Sequence, residues 1–451
     1  MTLDRVIIGG GLSGLLEARE AVATGESVLL LEAAPILGGA ISAVTIDGSV
    51  VDAGAEAFSI ATPHFLEFVE RMGLGDLVEY PQGTGAHIVS SSGKYALPPG
   101  VMGIPTTLEG LADEGIISQQ GVDQAYFLDS KPWPEVTTEW TVADLIRQRL
   151  GQEFVDRLVG PVLLGIQGSG PESLSASAIF GDLIKTAAVT GGVISAARTL
   201  RQSGASMGHA VATLRGGLHQ VTGGLTEAIL AGGGTIRTGE PVQGVRKISD
   251  GFEILIEAGS IPARNLSVAT GPRAAQRLLS GFTELSEVLD SFTPTPSALV
   301  TVSVDSDQLS HAPLGSGALI SWDLGLAAKA TTHLSAKWGW IRESLPDNRH
   351  LVRFGFGRDG ILPEGSLEEH ALSAVETIYQ VPREHVRAMK VTTWPDTLIQ
   401  MSRTHHDRAV VAQHLARESG IDLRGSYLSG NGVNGLVRTS RQLQEEQRNG
   451  H

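Results

Sequence analysis

Apolar runs and a helical repeat alternate at the start of the chain. Val6-Ile7-Ile8 is one apolar run, and residues 27–31 form another. Between them, residues 12–24 carry apolar side chains at helical spacing, and Gly25 stands where a glycine commonly ends a helix. The order strand, helix, strand predicts a parallel βαβ unit.

Two hairpins and a helix are predicted next. Residues 43–51 alternate around Asp47-Gly48, and residues 86–97 alternate around Ser92-Gly93. Residues 64–72 have helical periodicity and stop before a glycine. The local pattern therefore changes from the parallel unit to short antiparallel pairs.

Helical periodicity dominates from about residue 106 to residue 210. Thr141 and Asp144 have the spacing of a capping box, and further helices are predicted from Phe154 and over 175–188. The stretch 189–209 is rich in Gly, Ala and Ser and fits either a loop or a helix. We expect a helical insertion here.

Strand patterns return in the second half of the chain. They comprise a helix at 218–230, strands at 235–237, 240–242 and 266–270, a hairpin at Asp250-Gly251, alternating strands at 296–305 and 351–356, and a helix at 367–379. The alternating strands predict a second, antiparallel sheet with one face available for a ligand. A glycine-rich loop at 430–435 and a polar helix follow.

The first turn carries a dinucleotide-binding pattern. Gly9, Gly11 and Gly14 have the spacing G-x-G-x-x-G between the first strand and the helix, and Glu32 closes the second strand. Such glycines permit a tight turn and close approach of the backbone to a pyrophosphate, while an acid after the second strand accepts hydrogen bonds from ribose. A glycine-rich turn without a ligand is the alternative.

The segments after Glu32 favour a flavin over a nicotinamide. Gly38-Gly39 and the small residues from Asp52 to Phe58 replace the further βαβ units expected of an NAD domain. Ala269-Thr270-Gly271 ends a later strand, where such a sheet would meet the adenosine half of its cofactor.

The composition of the chain excludes several classes of binding partner and of chemistry. The 451 residues have a formal net charge of −15, which argues against nucleic acid or an anionic membrane surface as the main partner. The chain has no cysteine, which excludes disulfides, thiolate metal sites and cysteine nucleophiles and suits the cytoplasm. We expect no signal peptide and no membrane span, and a peripheral membrane contact stays open.

Motifs spread along nearly the whole chain resemble the protoporphyrinogen and coproporphyrinogen oxidases of the flavin monoamine-oxidase-like superfamily. These motifs are 9–14, Glu32-Ala33, 37–41, 52–58, 93–105, Arg149-Leu150-Gly151, 155–165, 214–218, 335–338 and 430–435. Around Met102 the sequence is similar to the Gram-positive type, which favours coproporphyrinogen. The family commonly carries other residues after Trp394-Pro395 and after Asn434, and these departures bear on turnover more than on cofactor binding.

The resemblance implies an FAD site built from separate segments of the chain. Its members are Gly9, Gly11, Leu12, Ser13, Gly14, Glu32, Ala33, Gly38, Gly39, Ala40, Gly54, Ala55, Glu56, Ala57, Val242, Ala269, Thr270, Gly271, Trp394, Gly430, Val433, Asn434 and Gly435. A helix beginning after the last glycine loop would also direct its N-terminus at the flavin ring and stabilise the reduced anion.

The implied reaction is aromatisation of a porphyrinogen in haem synthesis. Hydride would pass from a methylene bridge to flavin N5, with dioxygen as the electron acceptor, and no acid–base residue is strictly required. Met102, Arg198 and Arg201 are candidate substrate contacts. An amine oxidase or carotenoid-type desaturase on the same scaffold, and a flavin- or porphyrin-binding protein without turnover, are the alternatives.

Other chemistry is less favoured by the sequence. His405-His406 are adjacent and diverge on a regular element, so a surface or core role is expected and no metal site. Lys337 has a possible place beside flavin N5, but a solvated surface lysine is the favoured interpretation. Arg215, like the other arginines, is expected to form ordinary surface pairs more readily than to meet substrate propionates.

The predicted fold class is α/β, with a discontinuous Rossmann-like FAD-binding domain, an antiparallel-sheet substrate domain and a helical insertion. The expected boundaries are 1–85, 211–275 and 405–451 for the FAD-binding domain, 86–105 and 276–404 for the substrate-binding domain, and 106–210 for the insertion.

Overall fold

A computed structural model describes residues 2–82, 85–137, 139–203 and 211–449 of the chain. The end of the predicted helical insertion, 204–210, lies outside the described residues, and so does that part of the undecided stretch 189–209.

Most strands belong to two large sheets. The strands are β1 (Leu3–Ile8), β2 (Val28–Glu32), β3 (Ala43–Ile46), β4 (Ser49–Asp52), β5 (Phe58–Ser59), β6 (Val78–Glu79), β7 (His87–Ser90), β8 (Gly93–Ala96), β9 (Gly100–Val101), β10 (Ile104–Pro105), β11 (Val211–Leu214), β12 (Thr235–Thr238), β13 (Val242–Ile248), β14 (Gly251–Ile256), β15 (Gly259–Val268), β16 (Pro294–Asp305), β17 (Gly317–Ile320), β18 (Ala330–His333), β19 (Arg349–Phe356), β20 (Val386–Ile399) and β21 (Ile421–Leu423).

Helices connect and cover these sheets. The α-helices are α1 (Leu12–Ala23), α2 (His64–Arg71), α3 (Gln119–Asp129), α4 (Val142–Arg149), α5 (Gln152–Phe154), α6 (Gly160–Gln167), α7 (Ala176–Thr190), α8 (Val193–Ser203), α9 (His219–Ala231), α10 (Pro272–Leu278), α11 (Thr283–Asp290), α12 (Leu334–Lys337), α13 (Gly339–Glu343), α14 (Leu367–Ala374), α15 (His405–Ser419), α16 (Ser426–Ser429) and α17 (Val433–Asn449).

The first sheet joins strands from distant parts of the sequence. Its order is β12-β2-β1-β15-β14-β13, and β21 also pairs with β15. The pairs β12/β2, β2/β1, β1/β15 and β15/β21 are parallel, whereas β13, β14 and β15 are antiparallel. Val6 and Ile7 are fully buried, as expected for the central strand of a parallel sheet covered on both faces. The predicted βαβ opening is confirmed.

The second sheet has the order β20-β16-β19-β18-β17-β7-β8. All of its neighbouring pairs are antiparallel except β17 and β7, which run parallel. The predicted antiparallel sheet of strands 296–305 and 351–356 is confirmed by β16 and β19, and the parallel pair β17/β7 is a feature that the sequence did not indicate. The reason is that β7 enters from a distant part of the chain, and no hairpin joins it to β17.

Local expectations hold in the helical region. Thr141 and Asp144 form the predicted reciprocal capping box at the start of α4. The helices α3 to α8 enclose their own apolar core, which includes Leu145, Phe154 and Leu163. The undecided stretch forms helix α8 as far as Ser203. Among the described residues, no single helix has the length and apolar character of a membrane span.

Candidate functional site

The glycine turn between β1 and α1 is shaped by close backbone packing. A methyl group at Gly9 would lie 2.7 Å from the carbonyl oxygen of Ala269, and one at Gly14 would overlap the carbonyl oxygen of Gly9. At Gly11, in contrast, an added methyl would meet no protein atom within 4 Å. The side of the turn at Gly11 is thus open, while the other two glycines hold the turn against β15.

The N-terminus of α1 faces this open side. Gly11 is the residue before the helix, and no side chain caps the N–H groups of the first turn. That turn contains the predicted contacts Leu12 and Ser13. Free N–H groups and the helix dipole together make a site suited to a pyrophosphate.

Glu32 lies at the carboxyl end of β2, beside the same turn. Its Oε2 accepts a hydrogen bond of 2.6 Å from the Gly10 N–H, and its Oε1 accepts one of 2.7 Å from the Ala34 N–H, next to the predicted contact Ala33. Each carboxylate oxygen can accept a second hydrogen bond, so these contacts orient the acid and leave capacity for ribose hydroxyls.

The segments after Glu32 fold back onto the turn. The Gly38 N–H donates to the Gly10 carbonyl, and an added methyl at Gly39 would lie 3.5 Å from Gly11 Cα. The Ala55 N–H donates to the Ala40 carbonyl, and a methyl at Gly54 would lie 3.0 Å from the Trp394 ring. The structure therefore brings the predicted contacts 38–40, 54–55 and Trp394 together.

The adenosine side of the predicted site is formed by β15 and β13. The Ala269 N–H donates to the Ile8 carbonyl, and Thr270 and Gly271 connect β15 to α10. Val242 is the first residue of β13, beside an irregularity in its pairing with β14. Ala269 therefore packs beside the glycine turn, while Val242 lies two residues after Glu240, whose N–H donates to the Glu32 carbonyl.

The C-terminal segment closes this region. The sequence analysis predicted a loop that extends from residue 430 to residue 435. In the structure Gly430 ends α16 and α17 already begins at Val433, so Asn434 and Gly435 are helical. The Asn434 side chain accepts from the Phe65 N–H and donates to the Ser59 carbonyl. A residue missed by the sequence analysis, Asn431, accepts from the Ile399 N–H and donates to its carbonyl, both at 2.8 Å.

Glu56 lies between two cations from the second sheet and its connections. Its carboxylate contacts Lys337 Nζ at 2.8 Å and Arg353 Nη1 at 3.2 Å. Burial raises the pKa of Glu56, but Lys337 and Arg353 outweigh this effect and hold that pKa below its usual range. The favoured prediction for Lys337, a solvated surface lysine, is wrong because its ammonium group pairs with Glu56 and only 17% of its side chain is exposed.

Arg353 is another residue that sequence reasoning missed. Besides its contact with Glu56, Arg353 donates to the carbonyl groups of Asp52 and Gly54, so it connects the turn that follows β4 to β19. The available signal was an arginine inside the apolar run 351–356, where a charged side chain requires a buried partner. Ala57, beside Glu56, packs with a small apolar cluster around Trp338.

The predicted substrate residues form a separate group. Arg198 Nε donates to the Thr106 carbonyl, and Arg201 Nη1 donates to the Gly100 carbonyl at 3.4 Å, so α8 adjoins the turn that contains Met102. Met102 has a φ of 49° and packs against the helical core. Arg215 pairs with Glu343 at the surface, as expected.

A cavity of about 870 Å³ lies between the helical region and one end of the second sheet. Its lining includes Leu164, Ile320, Trp322, Arg358 and Gln400. Gln400 follows Ile399, whose N–H donates to Asn431 in the loop between α16 and α17, so the cavity adjoins that loop. None of the residues that line the cavity is a predicted FAD or substrate contact.

The two adjacent histidines diverge as predicted, with His405 in the core and His406 exposed at the surface. His405 is 8 % exposed, packs edge-on against Phe292, and has its pKa lowered to about 4 because burial disfavours the charged ring. Across the part of the chain that the structure describes, no group of three His, Asp or Glu side chains is arranged to hold a metal ion.

The residues around the turn fit an FAD molecule. The open side at Gly11, the uncapped N-terminus of α1 and the oriented Glu32 together match a pyrophosphate followed by a ribose. The fold and this geometry define a flavoprotein oxidoreductase.

The comparisons with known proteins agree. Residues 12–438 match the flavin containing amine oxidoreductase family, and the chain belongs to that family. FAD is its cofactor.

The curated relatives match over nearly their whole length. Coproporphyrinogen III oxidase of Mycobacterium tuberculosis is 29% identical, with 96% of this chain and 94% of that protein covered. The enzyme of the same name from Bacillus subtilis is 23% identical, with 95% and 94% covered. The chloroplastic protoporphyrinogen oxidase 1 of Arabidopsis thaliana is 26% identical, with 97% and 85% covered.

Solved structures share the fold. A protein from Exiguobacterium sp. 255-15, described as a protoporphyrinogen oxidase, has a TM-score of 0.87 and 22% identity, with 100% of both chains covered. Putrescine oxidase bound to putrescine has a TM-score of 0.66 and 16% identity, with 99% of both chains covered. At these identities the similarity concerns the fold alone.

Proposed function

We propose that this chain is an FAD-dependent oxidase that aromatises a porphyrinogen, with coproporphyrinogen III as the preferred substrate. The observation that carries the proposal is the end-to-end match to enzymes named coproporphyrinogen III oxidase. The cavity of about 870 Å³ beside the loop between α16 and α17 supports it, because ligand pockets of this size bury a ligand as large as a tetrapyrrole.

The chain's own residues contribute binding, orientation and exclusion of water. When bound, the flavin supplies a hydride acceptor, and dioxygen is the proposed final acceptor. Gly9–Gly14 and Glu32 would hold the pyrophosphate and ribose; residues 38–40 and 54–57, with Trp394 and 433–435, would border the ring. No acid or base is assigned, because positioning a methylene bridge in a dry cavity meets the main demand of the reaction.

The division into domains follows the two sheets. We assign 1–85, 211–275 and 405–451 to FAD binding, 86–105 and 276–404 to the substrate, and 106–210 to a helical insertion. The pairing of β21 with β15 supports the return of the C-terminal segment to the first unit. We further propose that the protein acts in the cytoplasm, which the absence of cysteine favours.

The test is anaerobic reduction of the bound flavin. Purified holoenzyme is mixed without oxygen with coproporphyrinogen III, protoporphyrinogen IX or putrescine, and the visible flavin bands are followed. We expect rapid bleaching with coproporphyrinogen III, slower bleaching with protoporphyrinogen IX, and none with putrescine. Bleaching by the amine alone would replace the proposal with an amine oxidase, and tight porphyrin binding without bleaching would indicate a binding protein.

A further inference from the structure

Two buried cations meet at one end of the second sheet. Lys329 precedes β18 and is 5% exposed, and Arg358 follows β19 and is 6% exposed. The Lys329 N–H donates to the Gly355 carbonyl, which fixes the two strand ends side by side. The stem of Lys329 passes over Gly355, and its Nζ approaches the last turn of α6, near Gly168.

Main-chain oxygens provide most of the partners of both groups. Lys329 Nζ donates to the Gly357 carbonyl at 3.2 Å. Arg358 Nη2 donates to the carbonyl groups of Ile320 and Ala328, and the guanidinium lies 4.6 Å from the centre of the Trp322 ring. Arg358 Nε, also buried, has no partner among the described residues.

The charge of this pair is only partly balanced. Burial and the neighbouring Arg358 lower the pKa of Lys329 to about 8, and burial lowers the pKa of Arg358 to about 10. The nearby carboxylate is Asp359, whose Oδ1 already accepts from the Gly170 N–H at 2.7 Å. Two cations and one carboxylate leave a positive excess in a desolvated place, which is costly unless an anion is bound there.

Arg358 also lines the cavity of about 870 Å³. Among the other charged lining side chains, Arg157 pairs with Glu153 and Glu172 pairs with Arg147. Asp323 and Asp156 accept hydrogen bonds from the neutral side chains of Ser91 and Gln152 and keep their negative charge. Two arginines line the cavity, Arg157 and Arg358. Of these two, Arg358 is the one whose guanidinium hydrogen-bonds to main-chain carbonyl groups and to no carboxylate among the described residues.

We propose that Arg358, with Lys329 behind it, is a carboxylate-binding subsite of the cavity that holds one propionate of the substrate. This inference rests on the proposed porphyrinogen oxidase function. With both Nη2 hydrogens of Arg358 held by the carbonyl groups of Ile320 and Ala328, the Nε and Nη1 N–H groups remain for a charge-assisted hydrogen bond to a carboxylate. The indole of Trp322 would keep the guanidinium plane in place while the carboxylate approaches.

The subsite makes Arg358 a determinant of specificity. Coproporphyrinogen III carries four propionates and protoporphyrinogen IX two, so a site that requires a carboxylate at one position would discriminate by which ring positions bear acids. This selection acts through binding and orientation, and no bond is made or broken by Arg358.

The experiment measures binding of coproporphyrin III and of its tetramethyl ester to the FAD-loaded enzyme by porphyrin fluorescence. The variants are Arg358→Met, Arg358→Lys and Lys329→Met, and the matched control is Arg383→Met, an exposed arginine paired with Glu376. We expect Arg358→Met to weaken binding of the acid about tenfold to a hundredfold and to leave ester binding unchanged. Arg358→Lys should lose less, and Lys329→Met should lower affinity for the acid alone.

The outcomes separate this inference from the proposed function. Unchanged acid binding in Arg358→Met, or equal losses for acid and ester, would overturn the subsite even if wild-type enzyme is bleached by coproporphyrinogen III. An acid-specific loss supports the subsite, and it does so even if wild-type flavin is not bleached, in which case only the oxidase proposal fails. If Arg358→Met does not retain FAD, the same comparison with Arg358→Lys and Lys329→Met decides.

Discussion

Replacing Gly11 with alanine tests the cofactor site without disturbing the fold. Gly11 has φ −72° and ψ 177°, which alanine adopts without strain, and the new methyl would meet no protein atom within 4 Å. A glycine-to-alanine change at such a position stabilises a protein by about 0.4–1 kcal/mol through the unfolded state. The apoprotein should therefore be as stable as wild type or slightly more stable.

The affinity for FAD should fall in Gly11→Ala, even though the stability of the apoprotein does not. The methyl would stand on the open side of the turn, where the pyrophosphate is proposed to approach the backbone, and displacement of a charge-assisted contact there costs about 1.5–3 kcal/mol. This loss corresponds to an increase in Kd of about tenfold to a hundredfold. Apoprotein is titrated with FAD by flavin fluorescence, and its stability is measured by urea unfolding.

Two comparison variants make the result specific. Gly14→Ala places a methyl 3.0 Å from the Gly9 carbonyl carbon, so both stability and FAD binding should fall. Gly223→Ala adds a methyl in open space on α9 and should change neither unfavourably. Wild-type FAD affinity in Gly11→Ala would refute the placement of the pyrophosphate beside this turn.

Three further changes test other parts of the structure. Glu56→Gln leaves Lys337 and Arg353 without their buried anion, so urea unfolding should show a loss of about 3–5 kcal/mol; a loss below 1 kcal/mol would contradict the pairing. Asn431→Ala removes two hydrogen bonds to Ile399 and should cost about 1–3 kcal/mol in the same assay. Burial lowers the pKa of His405 from 6.5 in the unfolded chain to about 4 in the folded protein. Between these two pH values the unfolded chain binds the proton more strongly, so the free energy of unfolding falls as the pH is lowered from 6.5 towards 4. Between pH 7.5 and 5.5, His405→Leu should therefore lose about 1 kcal/mol less than wild type, and equal losses would refute the assignment.

Local sequence predicted the parts of the fold that short segments determine. The turn at Gly9–Gly14, the hairpin β3/β4 and the capping box at Thr141 each depend on a few neighbouring residues, and each is present. Gly38 and Ala269, which come from separate segments of the predicted site, both pack directly on the glycine turn.

Features that depend on long-range pairing could not be predicted in this way. Lys337 and Glu56 are 281 positions apart, so nothing near Lys337 indicates its burial. The parallel alignment of β7 with β17 has the same origin, since strand direction is set by how the whole chain crosses the sheet. Arg358 was missed because its significance depends on a cavity and on a second cation, neither of which has a local pattern.

The return of the C-terminal segment to the first sheet sets the order in which the protein can mature. β1 needs β15 as a neighbour, β15 in turn pairs with β21, and α17 packs against α1. During synthesis, the glycine turn leaves the ribosome hundreds of residues before these neighbours do. The complete cofactor site therefore cannot form co-translationally, and a ribosome that stalls before β21 would release a chain with an uncovered apolar sheet edge, a substrate for chaperones and proteases.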